Sequence, residues 1–314
     1  MTDEPIRVAV LGAGAVGCYF GGMLARAGHE VTLIGRPLHV DAIRKNGLRF
    51  EGLAFDEHVR LAASTDPAAA RGARLLLFCV KSTDTDTAAA QVAPWLDDGS
   101  IVLSLQNGVD NIERIQAVAS RPVIPAVVYV ATEMAGPGHL RHHGRGDLVI
   151  GAPANPVPAP VMESLQNVQR WFSQAGVPVE ISANVLGELW TKLVVNCAYN
   201  AISAITQLPY GAAIGGCGVR EVMRDVVSEA LAVAAARDVP LPEDLLARVY
   251  RIAEAMPKQY SSTAQDLVRG RATEIDHLNG YLVRQGDALG LPVPANRALH
   301  ALVKLIEAKP RPGS

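Results

Sequence analysis

Along the first half of the chain, short runs of Val, Ile and Leu alternate with stretches in which apolar residues return every three or four positions. Six segments read as strands: "IRVAVLGAG", "EVTLIGR", a short "LRFEG", "RLLLFCVKS", "SIVLSLQNG" and "PVIPAVVYVAT". Between the first two, "AVGCYFGGMLARAG" has helical spacing and is closed by Gly28. The main strand runs are apolar throughout instead of alternating, as a parallel sheet covered on both faces requires. Repeated strand–helix–strand units of this kind predict a doubly wound α/β sheet. "GHLRHHGRGDLVIG" reads as a hairpin at the sheet edge, and "APANPVPAPV" as a Pro-rich connection.

After "GVPVEIS" the pattern becomes helical only. The helices are "LWTKLVVNCAYNAISAIT", "GVREVMRDVVSEALAVAAARDV", "PEDLLARVYRIAEAM", "STAQDLVRGRATEIDHLNGYLVRQGDALG" and "PANRALHALVKLIEA". A boundary near Ala183 follows, giving an α/β domain over residues 1–183 and an all-α carboxyl-terminal domain over 184–314. A chain of 314 residues is long enough for two such cores. There is no internal repeat, and the tail "KPRPGS" reads as loose.

Composition narrows the function classes. Nearly half the residues are apolar and about a fifth are charged, as in a folded soluble protein. With a net charge of −2, nothing points to nucleic acid or an anionic membrane as partner. Cys18, Cys79, Cys197 and Cys217 lie far apart in apolar runs and form no C-x-x-C pair, so they read as reduced core thiols. The start "MTDEPIRVAVLGAG" enters a strand directly, with no export signal, and no apolar run is long enough to cross a bilayer. The expected location is the cytoplasm.

Candidate chemistry begins at "GAGAVG", where Gly12, Gly14 and Gly17 join the first strand to the first helix, with Ala15 and Val16 opening that helix. In a βαβ unit, the first glycine allows a tight turn and the second lets backbone approach a pyrophosphate. The third lets helix and strand pack closely, and the helix start attracts the phosphates. This predicts a Rossmann-type dinucleotide site. The second strand ends in Gly35–Arg36 instead of the acidic residue that binds ribose hydroxyls, so NADP(H) is favoured over NAD or FAD. The alternative is a solvated loop arginine. Lys81, after the fourth strand, stands at the carboxyl edge where open α/β sheets bind ligands, and a surface role is equally open. Asn107 ends the fifth strand, on the nicotinamide side of such a fold.

In the helical half, "LWTKLVVNCAYNAISAIT" is apolar nearly all round except for one line, Lys192, Asn196, Asn200 and Ser203, stacked on one face. A wet helix edge would explain it, but Asn is a poor helix former and the stripe is narrow. A lysine among apolar residues and amides is a candidate proton donor. Glu274 in "TEIDHLNG" reads as sitting on a late helix, where a surface carboxylate is the ordinary alternative. For His139, His142 and His143, no Cys, Asp or Glu completes a convincing set of ligands, so no metal site is expected, and no G-x-S-x-G nucleophile motif occurs.

Taken together, "VLGAGAVGCYFGGMLARAGHEVTLIGR", "CVKSTDT", "LQNGVDN", "LWTKLVVNCAYNAISAIT", "SSTAQDLVRGRATEIDHLNGYL" and "ALGLPVPAN" resemble the ketopantoate reductase (2-dehydropantoate 2-reductase) family across nearly the whole chain. The resemblance implies a Rossmann domain, a helical domain and an active site in the cleft between them. It further implies NADPH as hydride donor to a 2-keto acid, with 2-dehydropantoate reduced to pantoate for pantothenate and coenzyme A synthesis. By motif, Lys192 and Glu274 take the catalytic positions, while Asn196 and Asn200 line the substrate site. Ser262 meets the substrate carboxylate, Asn107 positions the nicotinamide and the lysine, and Arg36 and Lys81 lie on the cofactor side. The pattern departs at Tyr210, where the family has another substrate-binding asparagine. A reductase of a different 2-keto acid, or a non-catalytic NADP-sensing module, are the alternatives, and a homodimer stays open.

Overall fold

The computed structural model describes residues 4–153 and 156–309. The first residues of the start, part of the Pro-rich connection and most of the "KPRPGS" tail lie outside the described residues. The chain divides into two compact units, Met1–Val185 and Leu186–Ser314.

The first unit runs β1 (Arg7–Leu11), α1 (Ala15–Arg26), β2 (Glu30–Ile34), α2 (Pro37–Asn46), β3 (Leu48–Glu51), β4 (Asp56–Val59), β5 (Ala62–Ser64), β6 (Leu75–Phe78) and α3 (Thr85–Val92). It continues through β7 (Ile101–Ser104), α4 (Asn111–Ala119), β8 (Val123–Gly136), β9 (His139–Ile150), α5 (Ala159–Gln174) and β10 (Val179–Ile181). The strands form one mixed sheet in the order β4-β3-β9-β8-β7-β6-β1-β2-β5, with β10 beside β9. From β8 to β5 every pairing is parallel. This parallel part is the Rossmann-type core of the unit.

The uninterrupted apolar strands have a direct cause. Val8, Val10, Leu75 and Leu77 point to one face, where Phe20 of α1 and Phe172 of α5 cover them. Ala9, Leu11, Leu76 and Phe78 point to the other, under Ala89 of α3 and Ile115 of α4. With helices on both faces, neither set of alternate side chains meets water, so neither can be polar.

Two expectations for this unit are corrected. "GHLRHHGRGDLVIG" is not a hairpin at the edge but a single strand, β9, lying between β3 and β8. The turn falls earlier, at Pro137–Gly138, where Gly138 has φ +64. Pro followed by Gly is the pair that fixes such a turn. "LRFEG" is likewise not part of the parallel core: β3 pairs antiparallel with β4 and parallel with β9.

In the second unit, the helices are α6 (Val185–Thr206), α7 (Tyr210–Ile214), α8 (Val219–Ala235), α9 (Leu245–Ala255), α10 (Ser262–Val268), α11 (Asn279–Leu289) and α12 (Pro294–Glu307). The long helix expected over "STAQDLVRGRATEIDHLNGYLVRQGDALG" is interrupted. After α10 the chain leaves helix at Arg269–Gly270, and only a single 3-10 turn, Ile275–His277, precedes α11. Glu274 therefore sits in a connection, at the start of that turn, and not on a helix. Side-chain bonds to backbone replace the missing helical ones, since Thr273 Oγ1 accepts from the Ile275 N–H at 3.2 Å.

No described helix is long and apolar enough to cross a membrane. Cys18 and Cys197 are buried free thiols, Cys18 being pushed up to about 12 by burial. Cys217 departs from the core-thiol expectation: it is exposed, in the Gly-rich turn between α7 and α8.

Candidate active site

At the junction of β1 and α1, each glycine has a geometric reason. Gly12 has φ +116, and a Cβ there would lie 2.6 Å from the Cys79 carbonyl carbon of the loop after β6. A Cβ on Gly17 would stand 2.1 Å from the Gly12 carbonyl oxygen. Gly14 is different, because a Cβ there meets nothing within 4 Å. Its backbone is exposed, it caps α1 without a side-chain hydrogen bond, and no acidic residue occupies the first helical turn. The N–H groups of Ala15, Val16 and Gly17 thus begin a helix whose dipole favours an anion and whose approach is unobstructed at Gly14. These features fit the phosphates of a dinucleotide.

Gly12, Arg36, Lys81 and Asn107 follow β1, β2, β6 and β7, adjacent strands of the sheet, and all lie at its carboxyl edge. Arg36 opens α2, with its side chain 85% exposed and one guanidinium nitrogen 3.3 Å from Asp84 Oδ2. The loops bearing Lys81 and Asn107 are joined by a buried polar network. Ser82 Oγ donates to the Asn107 carbonyl at 2.9 Å, and Asn111 Nδ2 donates to the same carbonyl at 2.7 Å. Gln106 Nε2 donates to the Val80 carbonyl at 3.0 Å and to Thr85 Oγ1 at 2.8 Å, and that hydroxyl donates to Asn111 Oδ1 at 2.9 Å. Ser82, Thr85, Gln106 and Asn111 are all buried, so each must find its partner inside the protein. None of the four was singled out by sequence reading. The available signal was the density of Ser, Thr, Gln and Asn directly after two wholly apolar strands.

In the helical unit, α6 carries the polar line. Lys192 and Asn196 are half-buried, while Asn200 is only 2% exposed and Ser203 is fully buried. The backbone at this face is anchored from two directions. Ser261 Oγ donates to the Asn200 carbonyl at 3.2 Å and also caps α10 by accepting from the Ala264 N–H at 3.0 Å. Asn279 Nδ2 donates to the Cys197 carbonyl at 3.1 Å. The start of α10 and the start of α11 are therefore both pinned to the turns of α6 that bear the asparagines. Ser262 is exposed at the first position of α10, whereas Ser261 beside it is the buried fastener.

The connection holding Glu274 is clamped by α12. Glu307 Oε1 accepts from the Thr273 N–H at 2.8 Å, and Asp276 accepts from His300 Nε2 at 2.6 Å and Lys304 Nζ at 2.8 Å. Glu274 itself is half-buried. Tyr210 opens α7 with its ring 4.5 Å from that of Tyr199, and burial raises its phenol pKa.

Two histidines of β9, His139 and His143, act as strand fasteners, while His142 bonds the Arg145 carbonyl of its own strand. His139 Nε2 and Arg141 Nε bond the two Glu51 oxygens from β3 at 2.9 and 2.8 Å, and His143 Nε2 lies 3.2 Å from Glu133 Oε1 of β8. Glu51 lies 88 residues from His139 in sequence, whereas Glu133 stands on the preceding strand, ten residues before His143. Among the described residues, no group of three or more His, Cys, Asp or Glu could hold a metal ion.

A Rossmann-type sheet with an open glycine turn, continued by a helical unit, is the build of one class of oxidoreductases. The family profile described as Ketopantoate reductase PanE/ApbA matches residues 8–155, and its C-terminal counterpart matches residues 184–307. The chain is 34% identical over 303 residues to the 2-dehydropantoate 2-reductase of Pyrococcus horikoshii, covering 96% of this chain and 98% of that protein. The crystal structure of a PanE/ApbA family ketopantoate reductase from Ralstonia eutropha JMP134 is 61% identical, with a TM-score of 0.90 over 96% of this chain and 98% of that one. D-mandelate dehydrogenase, solved with NADH and anilino(oxo)acetate, shares the fold at a TM-score of 0.87 and 23% identity, over 96% of this chain and 98% of that one. The chain belongs to the ketopantoate reductase family, a family of oxidoreductases.

Proposed function

We propose that this chain reduces a 2-keto acid to the 2-hydroxy acid with NADPH, and that its substrate is 2-dehydropantoate, reduced to pantoate on the route to pantothenate and coenzyme A. One observation carries the reading: the polar line of α6 runs from half-buried Lys192 and Asn196 to Asn200 at 2% exposure. A stripe serving only to wet a helix would face solvent along its length. A lysine kept partly out of water among amides is instead suited to an oxygen that gains negative charge. Family membership and relatives such as the Pyrococcus horikoshii enzyme support the same substrate class.

NADPH, when bound, supplies the hydride. The turn Gly12–Gly14 and the N–H groups of Ala15, Val16 and Gly17 would hold its phosphates, with Arg36 on the 2′-phosphate and Lys81 and Asn107 further along. As the keto carbon is reduced, charge develops on its oxygen. Lys192 stabilises that charge and delivers the proton. Glu274 holds the substrate hydroxyl and orients the lysine, while Asn196, Asn200 and Ser262 bind the remaining polar groups, Ser262 at the carboxylate. The protein acts as a reductase in the cytoplasm on a small acid, without nucleic acid or membrane.

The test is a panel of 2-keto acids assayed with NADPH and with NADH. The expected outcome is fastest turnover of 2-dehydropantoate with NADPH, and a loss in kcat of about a hundredfold or more in Lys192→Ala. Near-normal turnover in that variant would remove Lys192 from the mechanism. Failure of every keto acid to oxidise NADPH would favour a sensing module. Tyr210 supports one second reading: with a ring packed at a tilt against Tyr199 in place of the family's asparagine, a bulkier 2-keto acid would outpace 2-dehydropantoate.

A further inference from the structure

The carboxyl edge of the sheet presents an arginine and a carboxylate at the place where adenosine ribose is read. In a dinucleotide-binding unit, an acidic residue at the end of the second strand accepts from a ribose hydroxyl, and an arginine nearby accepts a 2′-phosphate. Here the end of β2 has no room for an acid, since a Cβ on Gly35 would lie 2.6 Å from Ala13 Cβ. A carboxylate arrives by another path. Asp84, in the turn after β6, puts Oδ2 3.3 Å from the guanidinium of Arg36, 48 residues away in sequence. Asp84 begins α3 without a side-chain cap bond to its helix, so helix capping does not explain the carboxylate there.

We propose that Asp84 is a specificity-determining residue, limiting how strongly the site prefers a 2′-phosphate over a bare 2′-hydroxyl. This rests on the NADPH reading above. With nothing bound, Asp84 occupies the cation that a 2′-phosphate needs. A phosphate must displace or share that partner and also sits close to its negative charge, whereas a 2′-hydroxyl can donate to the carboxylate. The pair is exposed at 85% and 48% of its side-chain surfaces, so its grip on Arg36 is weak and salt-sensitive. The effect is therefore a modest tuning of preference and not a block.

The experiment is calorimetric titration of the full chain with adenosine 2′,5′-bisphosphate and with 5′-AMP, in the wild type, Asp84→Asn and Arg36→Ala, at low and high salt. Asp84→Asn is expected to tighten the bisphosphate by about fivefold at low salt, with 5′-AMP unchanged or weaker, and the gain should shrink at high salt. Asp84→Ser should repeat the result, and unchanged thermal melting establishes that both variants fold. No change in Asp84→Asn, or equal tightening of both nucleotides, overturns the proposal. If the wild type prefers the bisphosphate and loses that preference in Arg36→Ala, such a failure counts against Asp84 alone. If the wild type shows no preference, or binds neither nucleotide, the 2′-phosphate reading falls and takes this proposal with it.

Discussion

Gly12 and Gly17 of the glycine turn are constrained chiefly by backbone atoms. A methyl group on Gly17 would stand 2.1 Å from the Gly12 carbonyl oxygen, a separation that no rotamer change relieves. Gly17→Ala is expected to push α1 away from the turn, weakening dinucleotide binding at least tenfold and lowering Tm, as read by titration and thermal melting. Adding a side chain at Gly14 is sterically free within the protein. The two glycines thus separate a packing requirement from a requirement for open backbone.

At the level of elements, the site depends on connections being held by neighbouring helices. The segment containing Glu274 is tied at Thr273 and Asp276 to three side chains of α12, namely Glu307, His300 and Lys304. Partial burial pushes the Asp276 carboxyl up, but the hydrogen bonds from Lys304 and His300 outweigh it and hold the group below its ordinary 3.8. A carboxyl depressed in the folded state adds stability that is present above its unfolded pKa and is lost as the pH falls through the folded value. Asp276→Asn should therefore lower Tm near neutrality. The gap from wild type should close as the pH drops below about 4. A gap independent of pH would mean that the clamp does not act through the carboxylate charge. The same logic of anchoring holds in the first unit, where Asn111 and Ser82 fix the Asn107 carbonyl from two other elements.

Across the whole molecule, burial assigns different fates to chemically equal groups. Cys18 and Cys197 are enclosed in separate units, and burial raises both thiol pKa values. Cys217, in the turn before α8, is exposed. A thiol reagent added to native protein should label Cys217 first, and Cys217→Ser should remove that fast phase while Cys18 and Cys197 react only on unfolding. Rapid labelling of Cys18 or Cys197 would contradict the packing described for either unit.

Much of this molecule was legible along the chain because its signals are local. Continuous apolar runs marked the parallel strands, the G-x-G-x-x-G spacing marked the turn into α1, and four-residue spacing put Lys192, Asn196 and Asn200 on one helix face. Those patterns follow from strand and helix periods, which depend only on neighbouring residues. What tertiary structure alone decided are the pairings of distant segments. Glu51 reaches His139, Asp84 reaches Arg36, Glu307 holds the residue before Glu274, and β9 lies inside the sheet instead of at its edge. Each joins residues whose separation along the chain carries no periodic signal, and only the packed sheet and helices bring them within hydrogen-bonding reach.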